Sequence, residues 1–462
     1  MLIDAASINV LDPIPARPGV YLVGGSVRDL LLGHSPKDLD IAVAGDPQRL
    51  ARNIAARLAG RVVAMGKSDQ TIYRVAAGDL IYDVALLRGG RIEDDLASRD
   101  FTINAVALEL ESGRLVDPLH GRQAIAKRAI RQVAAHAFQS DPLRLLRAYR
   151  LAATLGFAIE DETRQTIRKQ AHLVSRPAGE RLHSELWQLL ASPLSAEQVH
   201  AMAVDGLLTS LLPEMQPLQG CLQGPPHAFD VFTHTLRAYT ALEHRISAAA
   251  RDPLLSDYCR SAGFKAGVVV KYAMLLHDIG KPEVRTVEMD GRVRFIGHAA
   301  HSARLAESVH RRLRLSRRDA LQADSIIMHH LQPLHLLSAY SAGDLSRKAI
   351  HRFYRKCTPW IPEVLLHAMG DEEGKSGTPA PAGNSTQDLL QELLRNYFEN
   401  YLPLSSAPPL LNGHDLMRHF GLPPSPALGR LLAALEEERI AGRLSSREAA
   451  LAFVRRRLAE NP

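Results

Sequence analysis

Residues 21–43, YLVGGSVRDLLLGHSPKDLDIAV, place an apolar strand, a glycine pair, a short helix and an Asp-x-Asp strand in close order. Tyr21, Leu22 and Val23 end a β-type run. Gly24-Gly25 then lets the backbone turn with no Cβ in the way and brings N–H groups close to a bound anion. Ser26, Arg28 and Asp29 open a short helix that Gly33 and Pro36 end. Asp38 and Asp40 follow, two apart in a strand over 38–43, so both carboxylates aim at one spot. Paired carboxylates suit a hard cation such as Mg²⁺, and the adjoining turn suits the triphosphate that such a cation bridges. Each signal alone has a plainer reading, a turn for the glycines and a solvated strand end for the acids. Their order predicts phosphate and metal chemistry together.

Working outward, Leu50, Ile54 and Leu58 predict a helix capped by Asp46 and stopped by Gly60. Strands are predicted over 61–65, 71–77 and 80–87, the last two joined at Gly78-Asp79. This alternation predicts a small mixed sheet covered by helices, the head of an α+β protein. Asp83 interrupts the apolar run LIYDVALL, either as an edge carboxylate or as a third acid beside Asp38 and Asp40. Further on, 140–157, SDPLRLLRAYRLAATLGF, sets Leu143, Leu146 and Leu151 on a buried face with arginines opposite, an amphipathic helix. Asp141 and Arg144 are three apart and share a face. Such a pair mimics a base edge: the carboxylate accepts from the amine of cytosine or adenine, and the guanidinium donates to the neighbouring ring acceptor. The alternative is an ordinary intrahelical ion pair. Arg181 and Glu185, four apart, predict a helix-stabilising pair.

The chain has 462 residues, enough for several domains with real cores. Three widely spaced cysteines, Cys221, Cys259 and Cys357, indicate neither a disulfide framework nor a cysteine zinc site and fit a reducing cytoplasm. The N-terminus lacks a basic and apolar leader pattern, and no run reaches the ~18 apolar residues of a membrane span. The net charge of +6 is modest, with 56 basic against 50 acidic residues. Its distribution is uneven: between Gly121 and Arg150, Arg122, Lys127, Arg128, Arg131, Arg144, Arg147 and Arg150 face only Asp141. Arg311, Arg312, Arg314, Arg317 and Arg318 form a second group. Each is either a solvated helix face or a nucleic-acid surface.

With GGSVRDLLLG and DLD in place, the stretch 21–43 resembles the class II tRNA nucleotidyltransferase and bacterial poly(A) polymerase family, which carries a polymerase-beta superfamily head. IEDDLASRDFTINAVALEL, 92–110, resembles that family's motif centred on R-R-D-F-T-I-N-A, with Ser98 in place of the first arginine. The resemblance implies Asp38, Asp40 and Asp83 as catalytic ligands of Mg²⁺. It implies Gly24, Gly25, Arg28, Arg99, Asp100 and Asn104 as nucleotide contacts, Arg99 on the triphosphate and Asp100 and Asn104 on the ribose. The plain alternative is a helix N-terminus capped by Asp100 or Thr102. Asp141 and Arg144 match the family's E-D-x-x-R motif, Ser140 replacing its glutamate, and so join the nucleotide-binding set. Arg122, Lys127, Arg128 and Arg131 would track the tRNA backbone. Members that add all of CCA usually carry a longer loop after the third acid, so the short Arg88-Gly89-Gly90-Arg91 connection leans towards CC addition from CTP. CCA addition, A addition from ATP and poly(A) synthesis stay open, as does a non-catalytic RNA-binding role.

From Gly220 the vocabulary changes. His234, His277-Asp278, His298, His301, His329, His330 and Asp371 fall in the order of the HD phosphohydrolase superfamily, whose signature is H…HD…D. The resemblance implies a site for a divalent transition metal or Mg²⁺ at His234, His277, Asp278, His298, His329, His330 and Asp371, with Lys281 placed to meet a phosphate. Such a domain is either a phosphohydrolase or a structural, RNA-binding body. Gly374–Gln387, rich in Gly, Pro and Ser, predicts a flexible linker. The expected division is a head over 1–138, a helical neck over 139–218, an HD domain over 219–373, the linker over 374–387 and a helical C-terminal body over 388–462, its last helix capped by Ser445 or Ser446.

Overall fold

Val20–Val23 (β1) runs antiparallel to Asp38–Val43 (β2), which sets Val23 opposite Asp40. With Arg61–Met65 (β3), Ile72–Ala77 (β4), Leu80–Leu86 (β5), Ala107–Glu109 (β6) and Leu115–Val116 (β7) they form a seven-stranded sheet in the order β3-β4-β5-β2-β1-β6-β7. Only β2 and β5 pair in parallel there, so the sheet is mixed. A computed structural model describes residues 10–66, 71–225, 227–261, 264, 267–375, 385–440 and 442–460. The chain divides into two compact units, Met1–Leu211 and Leu212–Pro462.

In the first unit, Gly25–Leu31 (α1) and Pro47–Leu58 (α2) flank the sheet. Asp46 caps α2 by accepting from Arg49 N–H, and Leu50, Ala51, Ile54 and Ala55 bury its apolar stripe. The helix stops one residue earlier than expected, because Ala59 itself takes the left-handed conformation (φ 50°). Ile92–Ala97 (α3) and Gly121–Ala126 (α4) complete the head. Ala137–Ser140 (α5), Leu143–Leu155 (α6), Asp161–Gln170 (α7) and Gly179–Ala191 (α8) follow in the same unit. The buried face of α6 is Leu143, Leu145, Leu146, Ala148, Tyr149, Leu151, Ala152 and Ala153, as its periodicity predicts.

Among its described residues the second unit is helical apart from a short hairpin, Thr286–Val287 with Val293–Arg294, and an isolated bridge between Leu222 and Asp230. Its long helices Val231–Ala249 and Ile361–Gly374 lie close together, since a Cβ on Gly370 or Gly374 would sit 2.8 Å from the Cβ of Leu242 or Ala238. That approach brings Asp371 to His234. Asn412 and Asp415 form a capping box on Gly413–Phe420, and Ser446 caps Arg447–Glu460 by accepting from Ala449 N–H. Leu416, Leu435 and Val454 share a small apolar core with the helix Pro426–Ile440. Most of the expected linker, 376–384, lies outside the described residues; its last part, 385–387, already belongs to the helix Ser385–Asn396.

Candidate active site and a buried histidine cluster

Asp40 stands beside Asp83 because β2 and β5 are parallel and in register at these two residues. Cross-strand neighbours share a face, and Asp38 lies two residues earlier on that same face. Ser26 fixes the strand from α1: its hydroxyl donates to Asp38 C=O (3.0 Å) and accepts from Asp40 N–H (2.8 Å). Ser26, expected only to open the helix, also ties the glycine turn to the carboxylates. Gly24, at φ 72°, has no room for a Cβ, which would meet Asp40 Oδ2 at 2.8 Å and Arg99 Nη1 at 2.9 Å. Turn, carboxylate and guanidinium thus converge.

One cleft is lined by Asp40, Asp83, Arg88, Asp95, Ser98, Arg99, Asp100, Arg144 and Arg147. Asp40 keeps some exposed surface but is crowded by protein on most sides, and burial raises its pKa to about 6. The Asp83 and Asp38 charges push the same way, while Arg99 and Arg28 oppose them. Asp83 is drawn towards Arg74, which donates Nε at 2.8 Å and Nη2 at 2.7 Å. Asp38 is exposed. These acids suit a hard cation, because a divalent ion relieves the repulsion that burial intensifies. They do not converge within 4.8 Å as a ready ligand set. An open site of this kind leaves coordination positions for substrate oxygens and water.

Arg99 is held by Asp95 Oδ2, to Nε at 3.0 Å and Nη2 at 2.7 Å. Asp95 is buried and also accepts from Arg88 N–H, a positioning role that the sequence reading missed. The i, i+4 spacing of Asp95 and Arg99 was the available signal. Asp100 and Asn104 cap no helix; they form a buried chain. Asp100 accepts from Phe101 N–H, Asn104 Nδ2 and Arg147 Nη1, and Asn104 Oδ1 accepts from Arg28 Nη1 at 2.7 Å. Burial works to raise the Asp100 pKa, but the Arg147 charge and these hydrogen bonds hold it below its usual value.

Asp141 and Arg144 do not pair with each other. Pro142 follows Asp141, which is extended (φ −145°) ahead of α6 rather than on its face. Asp141 Oδ2 accepts from Arg181 Nη2 (2.8 Å), whereas Arg144 donates to the carbonyls of Ser98 (2.7 Å) and Ala137 (3.2 Å). Arg144 Nε is buried and has no acceptor. The expected Arg181–Glu185 pair is likewise replaced by bonds between helices: Glu185 accepts from Arg147 Nε (2.8 Å) and Arg150 Nε (2.6 Å). For Glu185, which is buried, tertiary partners outcompete the helix neighbour because a buried charge needs full satisfaction. Arg122, Lys127 and Arg128 are exposed on and after α4, while Arg131 donates to Leu119 C=O at 2.8 Å.

In the second unit, His234, His277, Asp278 and Asp371 form one buried ligand group, and Asp278, His298 and His330 form another. His234 Nε2 lies 2.8 Å from Asp371 Oδ1, and His277 Nε2 lies 3.0 Å from Asp278 Oδ2. Burial works to lower the His277 pKa, but Asp278 and Asp371 raise it to about 10. His329 and His301 stand apart: His329 belongs to neither group, and His301 pairs with Glu283 at 2.6 Å. Lys281, expected to face a phosphate, instead lies 2.6 Å from Asp278 Oδ2 and donates to Gln223 Oε1 at 2.7 Å. His367 joins the cluster unannounced, one helical turn before Asp371, with its ring 5.0 Å from that of His277 and both ring nitrogens buried without partners.

Residues 20–131 match the poly A polymerase head domain, 156–218 the probable RNA and SrmB-binding site of polymerase A, and 382–454 a putative tRNA nucleotidyltransferase domain 2. An A-adding tRNA nucleotidyltransferase of Deinococcus radiodurans is 35% identical over 98% of both chains. The chain belongs to the tRNA nucleotidyltransferases. A CC-adding tRNA nucleotidyltransferase of Thermus thermophilus is 33% identical over 96% of this chain and 94% of its own. The fold matches that of a Thermotoga maritima CCA-adding enzyme solved with tRNA, at a TM-score of 0.67 and 21% identity, covering 99% of this chain and 96% of that one. The α+β architecture expected of a tRNA nucleotidyltransferase is therefore present. Among the described residues no helix is long and apolar enough to cross a membrane.

Proposed function

We propose that this tRNA nucleotidyltransferase extends tRNA 3′ ends with CTP, adding two C residues. The observation that carries the transfer chemistry is the pairing of Asp40 with Asp83 beside the Gly24 turn and Arg99. Asp40, Asp83 and Asp38 would hold Mg²⁺. A cation held by them would supply a lowered pKa for the attacking 3′-hydroxyl and charge neutralisation for the triphosphate and departing pyrophosphate. Arg99 and Arg28, with the Gly24-Gly25 backbone, position phosphates. Asp100 and Asn104, which bond to each other, orient Arg147 and Arg28 and offer their remaining polar capacity to the ribose. Arg144, with its Nε–H still without an acceptor, reads a base edge; Asp141 completes that reading once it is released from Arg181. Arg122, Lys127, Arg128 and Arg131 line the tRNA backbone.

The stop after CC rests on the short connection between β5 and α3. Only Leu87–Arg91 separates Leu86 from Ile92, and Gly89 and Gly90 turn it tightly at φ 68° and 80°. So tight a turn leaves little chain to rearrange the pocket for a second base. The deciding assay offers tRNA lacking its CCA end, tRNA ending in CC and an unrelated RNA, each with CTP, ATP or both. Two C additions and no A are expected; A addition to the CC-ended tRNA or A tracts on any RNA would overturn the reading.

A second activity is favoured by the buried histidine–aspartate cluster: a metal-dependent phosphohydrolase of the HD type, located in the cytoplasm with the rest of the chain. Opening of 2′,3′-cyclic nucleotides to their monophosphates, or release of phosphate from nucleoside monophosphates, that needs added metal and is lost in His277→Ala tests it. Hydrolysis unaffected by that substitution would refute it.

A further inference from the structure

Resting on the reading of Asp40 and Asp83 as metal ligands, we infer that Arg74 competes with a divalent cation for Asp83 and so sets how tightly the transfer site holds metal. Strand register puts it there. In the order β4-β5-β2, Arg74 stands opposite Asp83 and Asp83 opposite Asp40, so the three side chains share one face in a single row. Asp83 therefore has a carboxylate on one side and a guanidinium on the other.

Asp83 takes the guanidinium. Arg74 donates Nε to Oδ1 at 2.8 Å and Nη2 to Oδ2 at 2.7 Å, a bidentate fork that engages both carboxylate oxygens. A cation would need those same oxygens. Register alone would gather the acids, since cross-strand neighbours on one face put their Cβ atoms about 5 Å apart. Yet Asp38, Asp40 and Asp83 do not bring one oxygen each within 4.8 Å of one another. The fork gives the physical reason: a carboxylate gains more from a guanidinium than from turning towards a like charge.

Arg74 and Arg99 differ in how they are held. Arg99 is 22% exposed and locked by the buried Asp95, which makes it a fixed contact. The Arg74 side chain is 41% exposed, and among the described residues Asp83 is its only hydrogen-bond partner. It can exchange the fork for water at little cost. The consequence for the reaction is a weak hold on free metal. A cation arriving with a triphosphate brings oxygens that complete its shell, whereas one arriving alone must displace the fork for a partial ligand set. Arg74 thereby favours loading the metal with the nucleotide over loading it beforehand.

The test measures Mn²⁺ binding to the full chain without nucleotide, by electron paramagnetic resonance of the free ion. Ions held by the second unit are common to all variants, so the binding that Asp40→Asn removes reports the transfer site. Arg74→Gln is expected to tighten that binding by about 10-fold, the worth of one charge-assisted pair. Arg74→Lys, which keeps the charge but not the fork, should tighten it less. Equal or weaker binding in Arg74→Gln overturns the competition and leaves Arg74 as a support that aims Asp83. A second readout needs no folded Gln variant: the Nε–H nuclear magnetic resonance signal of Arg74, assigned by its loss in Arg74→Lys, should shift as Mg²⁺ is added to the parent. A signal that saturating Mg²⁺ leaves unmoved also overturns the inference. Asp83→Asn binding Mn²⁺ as tightly as the parent removes Asp83 from the ligand set, and with it the reading on which the inference rests.

Discussion

Asp40 and Asp83 project from adjacent strands into a cleft that also holds Arg88, Arg99, Arg144 and Arg147. Asp278 and Asp371 are buried on or beside helices, surrounded by His234, His277, His298, His330 and His367. The first set is short of ligands and rich in guanidinium groups, so a cation held there would need substrate phosphates to complete its coordination. The second has enough imidazole and carboxylate to hold ions by itself, and its spare nitrogens make it costly to leave empty. A nucleotide-transfer site has to bind and release a triphosphate at each turn. A self-contained cluster would keep any ion it bound without help from a substrate.

The sharpest way to break this contrast is to remove one open-site acid. Asp40→Asn or Asp83→Asn should cut kcat/KM for CTP addition by at least roughly 10³-fold, comparable to losing a preorganised charge-stabilising group. The melting temperature should stay level or rise for Asp40→Asn, since the like-charge crowding is relieved. A variant retaining most activity would remove these acids from the chemistry.

Chelation probes the closed site instead. Stripping the full chain should lower the melting transition of the histidine-containing unit by several degrees, reflecting the loss of about 3 kcal/mol of ligand linkage. Readded Mg²⁺ alone should restore nucleotide addition. A transition insensitive to chelation would place the two sites on the same footing.

Asp100→Ala removes one of the two carboxylates that hold Arg147, leaving it Glu185 alone, and leaves Asn104 short of an acceptor, and should cost roughly 2–3 kcal/mol of stability in urea unfolding. A raised KM for nucleotide with unchanged stability would give Asp100 a direct ribose contact instead. The pH dependence is smaller. Because the folded protein raises the Asp40 pKa from 3.8 to about 6, it binds that proton more tightly than the unfolded chain. Its favourable contribution is full below the unfolded value and is lost as pH rises to about 6. Mg²⁺ competes with the same proton, so its affinity should fall as pH drops below about 6, by up to ~10-fold per unit. Isothermal titration at pH 5 and 7 measures this, and equal affinities would discount Asp40 as a ligand. Smallest of all, Arg122→Ala should reduce the salt slope of tRNA binding by about one without changing which nucleotide is added.

Local signals in the chain predicted the first unit well where one rule dominated. The strand Asp38–Val43, the cap at Asp46 and the apolar face of α6 all follow from periodicity and turn chemistry. Prediction failed where a polar side chain had two suitors. Arg181 and Glu185 sit at helix spacing, yet each bonds to a partner about forty positions away, Asp141 or Arg147. Asp141 shows the same effect, since the following proline holds it off the helix. Sequence spacing reports which groups are able to meet, not which meeting satisfies the most buried charge.

The order of residues alone determined the glycine turn, the alternation that puts Asp38 and Asp40 on one face, and most of the histidines and aspartates that cluster in the second unit, because these depend on backbone geometry and donor chemistry within short range. The tertiary structure decided the rest. Parallel pairing of β2 with β5 brought Asp83 to Asp40, and Ser26 locked that strand to the turn. The close approach of Gly370 and Gly374 to a neighbouring helix brought Asp371 to His234, and His329 lies outside the ligand groups. Ligand atoms a few ångströms apart in space are up to 137 positions apart in the chain, and only packing sets such distances.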